Sequence, residues 1–157
     1  MDAHAEAINF ADLSNDLRLL VSEHLNYLQE VDEEIFSVKP NPTKWSKKEI
    51  LGHLIDSAQN NLRRFITAQY EVEPPHIVYN QDFWVSANHY NQTRLQDLIL
   101  LWKLLNERIA VVLESMSPAC MGKLCNTGKD THVLLPLSFL ATDYINHAKH
   151  HLRQIHN

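Results

Sequence analysis

The side chains with the most chemistry to offer in this sequence are imidazoles. Ten of its 157 residues are histidine, against 14 lysines and arginines together, and imidazole both titrates near neutral pH and ligates divalent metals. His147, His150 and His151 lie close together near the end of the chain. On a helix, residues four apart project from successive turns of one face, so His147 and His151 form a two-nitrogen clamp, while His150 points to the opposite side. A helix through His53 carries a polar stripe of His53, Ser57, Asn60, Asn61 and Arg64 beside an apolar arc, with Asp56 on its flank. One histidine from that helix and two from the last would make a three-nitrogen site with open coordination positions, the arrangement of catalytic rather than structural metal centres. Two plainer readings stay open: a His pair arises by chance in a histidine-rich chain, and a polar stripe also describes a solvated helix edge. Ala148 follows His147, so the pattern is not the H-E-x-x-H of zinc proteases and lacks their general base. Asp56 and Asp143 each lie one turn from a proposed ligand and are candidates to accept an imidazole's other N–H, or are simply solvated carboxylates. His24 falls within an apolar stripe and reads as a satisfied core histidine. His4, His76, His89, His132 and His156 sit in termini or linkers, where no role is expected.

Composition narrows the chemistry further. A formal charge of −5 argues against neutralising a phosphate backbone, so no nucleic-acid partner is expected. With only Gly52, Gly122 and Gly128, the chain has no Gly-rich loop to cradle a nucleotide. Cys120 and Cys125 form C-x4-C with no second pair, which reads as free thiols in a reducing cytosol rather than a zinc ribbon. The start, Met1 to Glu6, lacks the basic and apolar regions of a signal peptide, and aliphatic runs such as Leu98 to Trp102 are far too short to span a bilayer. A cytoplasmic chain with no membrane partner is expected.

The elements that must position these residues are helices. Phe10, Leu13, Leu17, Leu20, Val21, His24, Leu28 and Val31 follow the three-and-four spacing of one long amphipathic helix. Pro40 and Pro42 then break the chain. Ser46 and Glu49 form a capping box, with Trp45 and Ile50 spaced as a hydrophobic staple, and open a second helix that runs to about Tyr70. The stretch from Glu71 to Asn91 is too long for a tight turn, so it crosses over the bundle and holds a short helix near Asp82 to Asn88. Thr93 with Gln96 reads as a second capping box, opening a third helix through Leu95, Leu98, Ile99, Trp102, Leu105, Ile109, Val112, Leu113 and Met116. Between Ala119 and Leu135 a short hairpin or ordered loop fits, and Pro136 suits the first turn of a last helix through Leu137, Leu140, Ala141, Tyr144, Ile145, Ala148, Leu152 and Ile155. The fold expected is all-α: one four-helix-bundle domain over residues 1–157, with a long crossover between the second and third helices.

Trp45-Ser46, the block Glu49-Ile50-Leu51-Gly52-His53-Leu54-Ile55-Asp56-Ser57 and the ending Asp143-Tyr144-Ile145-Asn146-His147 to His150-His151-Leu152 resemble the DinB-like metal-binding four-helix-bundle superfamily. This is the bundle family, not the DNA polymerase of the same name. Tyr79-Asn80-Gln81-Asp82-Phe83-Trp84-Val85 and Tyr90 are similar to the branch of metal-dependent hydrolases of the bacillithiol-transferase type. The resemblance runs from about Leu13 to Ile155. It implies that His53, His147 and His151 bind a divalent ion such as nickel or zinc, and that the protein forms a homodimer. Its relatives include thiol-dependent S-transferases and a thiol-dependent isomerase.

The function expected is a metal-dependent enzyme that activates water or a small thiol, a hydrolase or thiol S-transferase. Its counterpart is a non-catalytic metal-binding bundle serving as a structural or interaction module. The linker aromatics and Arg64 are expected to line the substrate mouth, although aromatics in a crossover often only cover a bundle's open side.

Overall fold

A computed structural model describes residues 9–157; His4 and the leader reading of Met1 to Glu6 lie outside it. Helix α1 (Phe10–Glu30) starts where the Asn9 side chain accepts from the Ala11 amide, and it buries Phe10, Leu17, Leu20, Val21 and Leu28. A one-turn helix, α2 (Glu33–Phe36), follows, capped by Asp32; the proline break had given no sign of it. Helix α3 (Lys47–Tyr70) opens on the expected capping box, Ser46 accepting from the Glu49 amide while the Glu49 carboxylate accepts from the Ser46 amide.

The crossover holds α4 (Gln81–Asn88) and a 3₁₀ turn at Tyr90–Gln92, with His89 between them at φ 50°. Helix α5 (Leu95–Ser115) does not use the Thr93–Gln96 box. Its N-cap is Arg94 with no side-chain cap, and the Leu95 amide is taken by the Glu33 carboxylate of α2 at 3.0 Å. That carboxylate also accepts from buried Lys48 at 2.6 Å, so one long-range anion satisfies a helix end and a desolvated cation together. A hairpin follows, β1 (Leu124–Asn126) antiparallel to β2 (Leu134–Pro136), with Cys125 opposite Leu135. Pro136 ends β2 and stands at the N-cap of α6 (Leu137–His156), one residue outside the helix.

The four long helices form the expected bundle. Helix α1 packs on α5 and α6, and α3 packs on the same two, so the successive long helices α1 and α3 take opposite corners. The core between them contains Trp102, Phe65, Leu17, Leu28, Leu51, Leu54, Ile109, Leu113 and Leu152. The crossover is anchored to the hairpin: the Ile77 amide donates to the Asn126 carbonyl at 3.0 Å and the Asn126 amide to the Pro75 carbonyl at 2.9 Å. Cys120 and Cys125 are free thiols. Among the described residues no helix is long and apolar enough to cross a membrane.

Candidate metal centre

Helix α3 buries its polar stripe rather than exposing it. His53, Asp56, Ser57, Asn60 and Asn61 are all buried, and Arg64 is half-buried one turn further on. They are buried because α3 packs on α6, which presents His147 and His151 on the facing border, and because the crossover covers Asp56. His53 and His147 are brought together with their Nε2 atoms 3.1 Å apart, and one nitrogen from each of His53, His147 and His151 falls within 4.8 Å of the others. The three rings pack edge to face, with centroids 4.5 to 5.0 Å apart. His150 is exposed, as its side of the wheel requires.

The chemistry of the donor set suits a divalent ion, and the His53–His147 pair has the spacing for one. Nitrogens bound to one ion at about 2.1 Å, with angles between octahedral and tetrahedral, stand about 3.0 to 3.4 Å apart. The His53–His147 separation falls in that range. Burial, followed by the mutual repulsion of the rings, lowers the pKa of His53 from 6.5 to about 3. Burial and the neighbouring His151 and His150 lower His147 to about 4, and burial also lowers His151. All three are therefore neutral at pH 7, the form that ligates. The His151 Nδ1 lies 2.8 Å from Gln154 Oε1, which leaves Nε2 as the nitrogen available to a ligand. The His147 Nδ1 lies 3.5 Å from the Ser57 hydroxyl. His53 Nδ1 is buried with no protein partner, while the Trp45 indole tilts over its ring at 5.0 Å.

The partners that orient the rings are Ser57 and Gln154, and neither expected carboxylate hydrogen-bonds to them. Asp56 accepts from the Tyr90 hydroxyl and, at 3.3 Å, from Asn88 Nδ2. Its burial raises its pKa to about 6, against the pull of the Tyr90 bond. Asp143 is exposed and lines a cavity of about 110 Å³ together with Ser57, Asn61, Arg64, Tyr79, Tyr144 and His147. That cavity adjoins the histidine cluster through His147. Of the linker aromatics, Tyr79 lines it, Trp84 packs edge-on to Tyr79 at 5.7 Å, and Phe83 is exposed. At its back the Tyr144 hydroxyl donates to Asn106 Oδ1 at 2.5 Å, which ties α6 to α5.

His24, His76, His132 and His156 have structural partners. His24 is half-buried rather than in the core, with Nδ1 2.8 Å from His156 Nε2, and the His156 ring stacks on Tyr27. His76 Nε2 lies 2.6 Å from the Gly128 carbonyl, and His132 Nδ1 3.1 Å from Asn126 Nδ2. These contacts join residues far apart in sequence or across a turn, and no helical spacing signals them.

Comparison with known proteins bears on the family and the fold. The sequence profile of the DinB superfamily matches residues 18–155. A protein of Geobacillus thermodenitrificans (strain NG80-2), named as a candidate metal-dependent hydrolase, is 28% identical over 112 residues; the match takes in 71% of this chain and 62% of the relative, just under two thirds of its length. YfiT from Bacillus subtilis, described as a candidate metal-dependent hydrolase with an unusual four-helix bundle topology, superposes with a TM-score of 0.84 at 18% identity, over 98% of this chain and 89% of its own. The mycothiol-dependent maleylpyruvate isomerase superposes with a TM-score of 0.71 at 15% identity, over 92% of this chain and 59% of its own. At these identities the structural matches speak for the fold.

Proposed function

This chain belongs to the DinB superfamily, and from that premise we propose that it is a metal-dependent enzyme acting on a small molecule. His53, His147 and His151 hold a divalent ion, nickel or zinc, and the adjoining cavity takes part of the substrate. The observation that carries this reading is the convergence of three neutral imidazoles on one another, beside a polar cavity that one of them, His147, lines. When bound, the ion supplies Lewis acidity, lowering the pKa of water to about 7 or deprotonating a coordinating thiol. The protein does the rest. Gln154 and Ser57 set the ring orientations of His151 and His147, Trp45 covers one face of His53, and Arg64, Asn61 and Tyr79 line the space where substrate is oriented. His53, His147 and His151 are neutral, so a divalent ion held by them would keep its full charge for the Lewis acidity it would supply. The hydrolase names of two similar proteins support water as the nucleophile, and the mycothiol dependence of a third supports a thiol.

Metal content of tag-free protein comes first: about one nickel or zinc per chain is expected, lost in His147→Ala. Loaded protein is then given monochlorobimane with a panel of low-molecular-weight thiols, and separately a panel of esters and amides. Turnover that disappears in His151→Ala supports the enzyme. Stoichiometric metal whose loss in His53→Ala lowers the melting temperature, with no turnover on either panel, would instead make the protein a structural metal-binding bundle. The homodimer is tested by sedimentation.

A further inference from the structure

Arg64 is a half-buried cation to which the fold gives no ion-pair partner, the Asp143 carboxylate acting on it only from across a shared cavity. None of the five ion pairs among the described residues includes it. Its guanidinium donates through Nε and one Nη to the Ile77 carbonyl, at 3.1 and 2.8 Å, and through the other Nη to Asn61 Oδ1 at 3.4 Å. Both acceptors are neutral. Burial lowers its pKa, and the longer-range pull of Cys125, Tyr79 and Asp143 opposes that without reversing it. A guanidinium has five N–H donors, and these bonds occupy three, leaving two free on a residue that lines a cavity with His147.

The placement is built by several elements. Side chains of a helix lean toward its N-terminus, so Arg64 reaches back along α3 toward Asn61 and the histidine cluster. The Ile77 carbonyl that fixes it sits in the crossover, and the Ile77 amide is pinned to Asn126 of the hairpin. The guanidinium is thus clamped before any ligand arrives, which limits the ordering cost of binding.

We propose that Arg64 is the carboxylate-binding group of this protein's substrate pocket: it holds a single carboxylate of the substrate in the cavity beside His147. The assignment deepens the metal-enzyme reading above and rests on it for the reaction served. Two parallel N–H donors match a carboxylate's two oxygens. Asp143 lines the same cavity without pairing with Arg64. Its negative charge disfavours a dianion such as phosphate and leaves a monoanion as the better fit. About 110 Å³ admits a small group, not a whole ligand of ordinary size, so the carboxylate is one end of a substrate whose reacting end lies at the histidines.

The full-length protein, metal-free and metal-loaded, is titrated with propionate, propionamide and inorganic phosphate, and the Arg64 Nε–Hε signal is followed by NMR. Propionate is expected to saturate that signal with a Kd at least ten-fold below that of propionamide, with phosphate weaker than propionate. In Arg64→Gln, propionate affinity read from the Asn61 and Ile77 amides falls at least ten-fold. The inference is overturned if propionamide binds as well as propionate, if phosphate binds more tightly, or if Arg64→Gln keeps the affinity. The wild-type comparison decides the matter even if that variant fails to fold. Metal titration of the same samples separates the two readings: no stoichiometric metal refutes the metal centre, and the metal-free propionate series still judges Arg64.

Discussion

Gly52→Ala offers a sharp test of how the crossover is locked to α3, because helix propensity and packing predict opposite signs. Gly52 lies inside α3, where alanine is favoured over glycine by about 1 kcal/mol. Yet a Cβ built there stands 2.5 Å from Tyr90 Cε2 and closer still to Cδ2 and Cγ. Carbon atoms rest about 3.5 to 4.0 Å apart, so the ring must retreat by about 1 Å or more. It has little freedom to do so: Tyr90 is buried, and its hydroxyl is the donor to buried Asp56. Overpacking costs about 1 to 3 kcal/mol, and loosening a hydrogen bond to a buried carboxyl costs about 1.5 to 3 kcal/mol more. After the propensity gain, the net destabilisation is about 1.5 to 5 kcal/mol. For a chain of this length that lowers Tm by about 5 to 15 °C. Thermal unfolding followed by circular dichroism, with urea titration at 25 °C, reads the effect in the wild type and in a Tyr90→Ala background. Without the ring, the same Gly52→Ala is expected to be neutral or to stabilise by up to about 1 kcal/mol. A rise in Tm in the intact protein, or an equal fall in both backgrounds, would refute the reasoning.

Three further outcomes follow from the site and its supports. The His53 and His147 pKa values, about 3 and about 4, lie below the ordinary 6.5, so the unfolded chain binds more protons and the metal-free protein loses stability as pH falls below about 6.5. Asp56, raised to about 6, has the opposite sign, its burial cost being relieved as pH falls through that value. The excess of one proton between pH 6 and 4.5 amounts to about 1.4 kcal/mol per pH unit; Asp56→Asn should steepen the loss seen in urea titrations, and a shallower slope contradicts the assignment. Nickel or zinc at about 100 times its Kd should stabilise by about 2.7 kcal/mol, raising Tm by about 5 to 10 °C in calorimetry; a comparable rise in His147→Ala excludes these ligands. Glu33→Ala, which strands Lys48 and the Leu95 amide, should cost about 1 to 3 kcal/mol by chemical denaturation despite its exposed position, whereas Lys48→Met should cost less; the reverse order would show that the latch does not hold α5.

The two capping boxes show where sequence reading succeeds and where it stops. Ser46 and Glu49 satisfy each other within four residues, so their pattern alone specifies the start of α3. Thr93 and Gln96 present the same spacing, but Glu33, 62 residues earlier, takes the Leu95 amide instead. The wheel geometry that set His150 apart from His147 and His151 is equally local, and the structure follows it. The roles of Asp56 depended on neighbours supplied by other elements, Tyr90 and Asn88 from the crossover, and were not legible.

The four long helices, their apolar faces and the borders on which His53, His147 and His151 stand were legible in the sequence, because periodicity and caps act over a few residues. Tertiary structure decided that residues 94 apart place their Nε2 atoms 3.1 Å from each other. It also decided that the polar stripe of α3 is buried, that Ser57 of α3 meets the His147 ring of α6, and that Arg64 is clamped at the adjoining cavity without an ion-pair partner. These follow from which helices share a groove, and that is set by packing across the whole core rather than by any local pattern.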